Sequence, residues 1–322
     1  MANQSTVTEF FLMGFSDDHG VQLRLFFLLL FIYLIALIGN SLIAFVVILN
    51  HHLHTPMYFF LVNLSLTDIC YITTTIPKSM AVSLTDNKTI TFPGCMTQVF
   101  LVIACVGSEV ALLTIMAYDR YVAICRPLRY SLILNWGACS QMALASWITS
   151  FIHALLQTSL TFQLNFCGLN IIGQFFCDVP QLQKISCTDT KRNQIFMWIV
   201  GFIASSFCTG FVFASYGYIF SVILKIPSNQ GRYKTFSTCS PHLTVYSLFI
   251  ITSMFSYLRP QNLSSPTIDL LSAVLYAVLP PVLNPIIYSF RNKDIQEAVW
   301  KVMSKSKLAC WVFCKSCYPR NI

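Results

Sequence analysis

The sequence predicts an all-α membrane protein, a seven-transmembrane helix bundle followed by a short amphipathic eighth helix. Three observations carry that prediction. Of the 322 residues, 56% are hydrophobic and only 10% are charged, and the mean hydropathy is +0.66, so the chain has too few charges to coat a soluble globule. The apolar residues gather into seven long runs, at 25–49, 57–84, 94–124, 139–162, 194–224, 236–258 and 267–289, each long enough to cross a hydrocarbon core about 30 Å thick. Basic residues collect on one side of the alternating connections.

Each run is bounded by charges or turn residues, which is how a buried helix meets water. The segment before the first run, residues 1–24, carries Glu9, Asp17 and Asp18 and no basic residue before Arg24. It lacks the positive start of a cleavable signal, so the first run is expected to act as an uncleaved anchor. Residues 25–290 form the seven-span domain, and 291–322 form the eighth helix and tail. Between the fifth and sixth runs a short loop holds Ser228, Asn229, Gln230 and Gly231. The chain shows no internal repeat and no Gly/Ser linker.

An odd number of spans puts the two ends on opposite faces. With the amino terminus outside, the cytoplasmic side collects thirteen of the twenty basic residues against three acids, and the outer side seven of each. That is the asymmetry expected of a plasma-membrane protein with an external amino terminus and a cytoplasmic carboxyl terminus. The first span alone points the other way, because Arg24 flanks it outside while His51, His52 and His54 flank it inside. Asn-x-Ser/Thr sites give an independent check: Asn3, Asn87 and Asn262 fall outside, and Asn63 within the second span is read as chance. Asn3 is the expected glycosylation site, since Asn87 and Asn262 lie close to the membrane.

Polar residues inside the spans are the candidates for function, because a charge at bilayer depth is expensive. Asp68 and Glu109 are the only carboxylates deep in the runs. Side by side they would share a proton or jointly hold a cation, the alternative being two neutral acids hydrogen-bonding between helices. Asn284 precedes Pro285 within the seventh run, where the missing backbone donor kinks a helix and frees carbonyls that side chains or water must satisfy. Asp119-Arg120-Tyr121 closes the third run, a placement that serves a switchable ion pair or a positive-inside anchor. Cys95, Cys167, Cys177 and Cys187 lie on the outer side, where an oxidising lumen permits two bridges. Their spacings match no zinc site. Cys310, Cys314 and Cys317 follow the amphipathic stretch at 292–306 and are either palmitoylated or free thiols.

Six separate segments resemble one family. Gly39-Asn40, LHTPMYFFL at 53–61, LSLTDIC at 64–70, MAYDRYVAIC at 116–125, KTFSTCSPHL at 234–243 and PVLNPIIYSFRNKD at 281–294 occur in the order and spacing of the odorant receptors, a branch of the rhodopsin-like G-protein-coupled receptors. The resemblance runs nearly end to end. It implies that Asp119, Arg120, Tyr121, Tyr216, Asn284, Pro285 and Tyr288 form the activation switch. It places Asp68 and Glu109 in a central polar cavity with Asn40 and Asn284, an ion or proton site with no other cofactor. It pairs Cys95 with Cys177 and Cys167 with Cys187.

Such receptors bind their ligands between the outer halves of the third, fifth, sixth and seventh helices. Aligned through the motifs, the inward positions are Val102, Ile103 and Val106 on the third, Met197, Val200 and Ala204 on the fifth, Ser253, Met254 and Tyr257 on the sixth, and Val274 on the seventh. Val102 stands where amine receptors carry an Asp. An aliphatic lining with hydroxyls from Ser253 and Tyr257 suits a small, volatile, mostly apolar odorant held by surface burial. Lipid-facing or packing duty is the alternative for each. The sequence departs from the family at Phe249-Ile250-Ile251-Thr252, where many members read Phe-Tyr-Gly-Thr, so a tyrosine relay is missing. The expected partners are the odorant, a stimulatory olfactory-type heterotrimeric G protein that raises cyclic AMP, and membrane lipids, with no nucleic acid. A transporter would need a repeat or a polar through-path. An enzyme would need a nucleophile–base set at a water-accessible site, and a peptide or lipid receptor remains the alternative within the same fold.

Overall fold

The structure, a computed structural model, describes residues 7–13, 18–85, 87–167, 170–257 and 266–305. Asn3, Asn262, Cys310, Cys314 and Cys317 therefore lie outside the described residues. Among the described residues ten α-helices follow one another: α1 (His19–Leu49), α2 (Pro56–Thr85), α3 (Phe92–Cys125), the short α4 (Tyr130–Ile133), α5 (Trp136–Phe162), the short α6 (Val179–Lys184), α7 (Lys191–Leu224), α8 (Asn229–Tyr257), α9 (Pro266–Arg291) and α10 (Lys293–Lys305). Seven of them are the spans.

Several helices outrun the apolar runs because side chains cap them in water. Asp18 accepts the backbone N–H of Val21 at 2.9 Å, so α1 starts at His19, inside the segment expected to precede it. Thr91 accepts from Gly94 at 3.2 Å and starts α3, and Asn135 does the same for α5 with Ala138. The loop after α7 is shorter than expected. Ser228 Oγ accepts from Gly231 N, and α8 begins at Asn229. Such caps satisfy donors that have no partner within the helix.

Six of the spans are long and apolar enough by themselves to cross a bilayer, among the described residues. The seventh, α8, is rich in hydroxyls that its own backbone absorbs. Thr244 Oγ1 donates to Ser240 O at 2.8 Å and Thr252 Oγ1 to Leu248 O at 2.9 Å, which removes the cost of carrying them into lipid.

The sequence reading missed a small sheet at one end of the bundle. β1 (Glu9–Leu12) pairs antiparallel with β2 (Thr89–Thr91) and parallel with β3 (Ile171–Ile172), in the order β2-β1-β3. Its alternation buries Phe10 and Leu12, and the Phe10 ring meets those of Phe92 and Phe166 at 5.9 and 5.2 Å. This capped end is thus closed by the chain's own start. At the other end α10 lays Ile295 and Ala298 against the bundle and exposes Trp300.

The joint between α1 and α9 depends on two adjacent residues. Pro285 has no N–H to give to the carbonyl four residues earlier, that of Pro281. Asn40 Nδ2 donates to that same oxygen at 2.8 Å, and to Ala36 O at 2.9 Å. Gly39 makes the approach possible, since a Cβ there would stand 3.0 Å from the Pro285 ring. Gly39→Val should therefore part α1 from α9, lowering the thermal midpoint of the purified chain and its delivery to the cell surface, as read by unfolding in nanodiscs and surface labelling. Gly39→Ala should do so more mildly.

Candidate functional site

At the capped end, the long connection between α5 and α7 dips into the bundle. Cys95 at the start of α3 is bonded to Cys177, with Cα atoms 5.6 Å apart, and Cys167 is bonded to Cys187, with Cα atoms 5.8 Å apart. Gln98 reinforces the first bridge. Its Oε1 accepts from Cys177 N at 2.8 Å while its Nε2 donates to Thr74 O at 2.8 Å. Ser79 Oγ donates to Phe175 O at 2.9 Å. These ties press Phe175 and Phe176 down as a ceiling, both fully buried.

Beneath that ceiling lies an apolar cluster from α1, α2, α3 and α9. It includes Val102, Tyr71, Ile72 and Tyr276, with Val106 and Val274 packed against it. Of the ten ligand candidates, three therefore meet here. Ile103 and Met197 pack instead on the cluster around Phe10, Phe166 and Leu182. Val200 is half-buried, while Ala204 is exposed and Met254 is 53% exposed. The described candidates do not form one lining, because α7 runs against α3 and touches α8 only lightly. Ser253 has a buried hydroxyl without a partner. The Tyr257 side chain lies outside the described residues.

Midway through the bundle, Asn284 joins the two buried acids. Its Nδ2 donates to Asp68 Oδ2 at 2.9 Å and to Glu109 Oε1 at 3.3 Å, so one amide spends both hydrogens on two carboxyls from different helices. Asp68 Oδ1 has no partner. Asn40, expected close to this group, makes its hydrogen bonds elsewhere. Its amide serves the α9 kink, and neither acid is among its hydrogen-bond partners. Tyr288 is buried with an unpartnered hydroxyl.

At the open end Arg120 Nη2 lies 3.1 Å from Asp119 Oδ2, with Asp119 fully buried and the Arg120 side chain 17% exposed. Tyr130, on the loop helix α4, donates to Asp119 Oδ1 at 2.7 Å. Burial, and next the Asp119 carboxylate, push the Tyr130 phenol up, which keeps it a donor. Arg120 also rests on the Met57 sulfur. Tyr121 points elsewhere, its ring near Tyr218 and beneath the Arg126 guanidinium at 5.7 Å.

Three helices meet at His242. Its Nε2 lies 2.7 Å from the Leu113 carbonyl and its Nδ1 2.9 Å from the Tyr216 hydroxyl. A carbonyl only accepts, so Nε2 carries the proton, and a neutral ring satisfies both neighbours when Tyr216 donates to Nδ1. A comparable tie holds α2 to the α9–α10 junction, where Asn292 Nδ2 donates to Tyr58 Oη at 2.9 Å and that hydroxyl lies 3.1 Å from Asp294.

A family model described as olfactory receptor matches residues 29–306. The chain belongs to the olfactory receptor family. The receptor is 49% identical over 302 residues to human olfactory receptor 14L1, covering 92% of this chain and 91% of that one. It is 45% identical over 308 residues to human olfactory receptor 14A16, covering 96% and 99%. Among solved structures it is similar to squid rhodopsin, with a TM-score of 0.68 at 18% identity over 91% of this chain and 88% of that chain, a likeness of fold. It is thus a multi-pass plasma-membrane receptor with the seven-span fold of G-protein-coupled receptors, and not an enzyme.

Several residues that build the receptor's sites escaped the sequence reading. His242 could have been found, since a histidine inside an apolar run carries the same cost signal as Asp68. Phe175 and Phe176 left only a weak trace, an apolar pair beside a loop cysteine. Tyr130 and Met57 left none, because their roles come from partners distant in sequence. Tyr216→Phe and His242→Phe should each destabilise the receptor by about 1–3 kcal/mol by leaving a buried partner unmet. The double variant should lose less than the sum of the two, a coupling of about 0.5–3 kcal/mol readable by unfolding in nanodiscs; strict additivity would deny the contact.

Proposed function

We propose that the receptor binds a small, mostly apolar odorant in the capped half of its bundle and activates a stimulatory olfactory-type G protein, raising cyclic AMP. The amino terminus faces outward and the carboxyl terminus the cytosol. The observation that carries this reading is Arg120, which closes α3 at the open end and is held by Asp119 in a pair that is only partly shielded from water. An arginine in that position is free to exchange an internal partner for an external one when helices shift.

Orientation draws support from chemistry at the capped end. Both bridges lie there, and disulfides persist in the oxidising lumen and outside the cell. β1, from the chain's start, is paired at the same end. That agrees with the excess of Lys and Arg on the opposite side and with the Asn-x-Ser sequon at Asn3, the expected glycosylation site.

Ligand binding centres on Val102, Val106 and Val274 under the Phe175–Phe176 ceiling, with Ser253 offering a hydroxyl from α8. Burial of an apolar surface at roughly 25 cal/mol per Å² supplies most of the affinity. Between the two ends, Asp68, Glu109 and Asn284 form the allosteric centre. Two buried carboxyls sharing one neutral amide need a proton or a cation between them, and the unpartnered Asp68 Oδ1 fits either.

Arg120→Ala should abolish odorant-driven cyclic AMP in a reporter assay while surface labelling stays measurable. A full response would sink the switch role. Cys95→Ser or Cys177→Ser should release the loop ceiling and hold the receptor inside the cell, and normal trafficking of both variants would remove the bridge from the reading.

A further inference from the structure

Tyr71 stands out among the buried residues that nothing above employs. It lies on α2, only 1% exposed, and its phenolic oxygen has no hydrogen-bond partner. Two buried threonine hydroxyls of the same helix are satisfied by its own backbone. Thr67 Oγ1 donates to Asn63 O at 3.0 Å and Thr75 Oγ1 to Tyr71 O at 3.1 Å. A tyrosine hydroxyl sits at the far edge of its ring and cannot fold back in this way. A buried hydroxyl without a partner is costly and uncommon.

The surroundings say what the missing partner is like. The ring lies edge-on to Tyr276 at 6.1 Å between centroids, and it shares the cluster under the ceiling with Ile72, Val102, Phe175 and Phe176. The groups near enough to act electrostatically on that hydroxyl include the acids Asp178 and Glu109, so a carboxylate ligand would be disfavoured there. A plain hydrocarbon would leave the hydroxyl as it is. A phenol donates well and accepts poorly, because its lone pairs are drawn into the ring.

We infer that Tyr71 is a specificity-determining residue that donates a hydrogen bond to the carbonyl oxygen of a neutral ketone, aldehyde or ester, whose hydrocarbon portion packs on Val102, Val274 and Phe176. This rests on the reading that the receptor binds a small apolar molecule in the bundle, and it adds the functional group and an attachment point on α2, outside the helices expected to line the site. The neighbouring Tyr276 keeps the ring in place, so the hydroxyl alone distinguishes ligands.

The test uses full-length receptor in nanodiscs, a series of straight-chain 2-alkanones and the matching alkanes, with binding read as ligand-induced thermal stabilisation. In the wild type the ketones should bind more tightly than the alkanes. Tyr71→Phe, which removes only the hydroxyl, should weaken ketone binding about fivefold to tenfold, the span of one neutral hydrogen bond, and leave alkane binding unchanged. Equal weakening of both series would mean a packing role and overturn the inference. So would ketones that bind no better than alkanes in the wild type, or a ketone-selective loss in Ser253→Ala that is absent in Tyr71→Phe. Because stabilisation needs no G protein, a selective effect of Tyr71→Phe without any cyclic AMP response would count against the coupling alone.

Discussion

Hydrocarbon offers no hydrogen bonds, and that constraint decides how this bundle is held together. Each polar group carried into the membrane has to find its partner on its own helix or on a neighbour. The chain uses both solutions. Thr67, Thr75, Thr244 and Thr252 return their hydroxyls to their own backbones and so do nothing to specify packing. Asn40, Asn284 and His242 reach across instead. Apolar side chains pack on lipid as readily as on protein, so these few crossings do much of the work of choosing which helices meet.

The crossings are unevenly distributed, and the unevenness sets where the molecule can move. α1, α2, α3 and α9 are bound into one body by Asn40, by Asn284 with its two acids, and by Gln98 fixing the loop above. α8 leans on α9 but meets α7 lightly, through Tyr246 with Thr209 and His242 with Tyr216. His242 also carries a polar link from α8 to α3. A displacement of the open end of α8 therefore breaks two hydrogen bonds at one imidazole. The opposite side of the bundle would lose nothing. Hinge motion follows the border between a well-tied body and a loosely tied element.

How much of this could be read in advance follows from the same physics. The seven lipid-crossing stretches were legible because lipid demands unbroken apolar length, and Asp68, Glu109 and Asn284 were legible because burying them is costly. Helix ends were not, since Asp18, Thr91 and Ser228 extend helices into water, where hydropathy says nothing. The sheet escaped because β3 is two residues long and has meaning only beside β1. Alignment through motifs fixes a residue's depth far better than its helix's rotation and packing. Thus Val102 and Val274 fall in the enclosed cluster, while Met254 and Ala204, at comparable depth, are exposed. Phe175 and Phe176 belong to a loop whose course is set by a disulfide and a glutamine from another helix.

The open end shows how an ion pair is kept breakable. A buried carboxylate that loses its only partner costs several kcal/mol, and a switch with such a barrier would stay shut. Asp119 has a second partner, since Tyr130 holds its other oxygen at 2.7 Å and stays protonated through burial and the adjacent charge. When Arg120 leaves, Asp119 keeps a strong donor and Arg120, already partly exposed, regains water. Tyr130 sits on a loop helix and not on a span, so contact with the loop itself alters how firmly Asp119 is held. On this argument a partner that binds the open end acts twice, by offering Arg120 a new site and by shifting the tyrosine that steadies the old one.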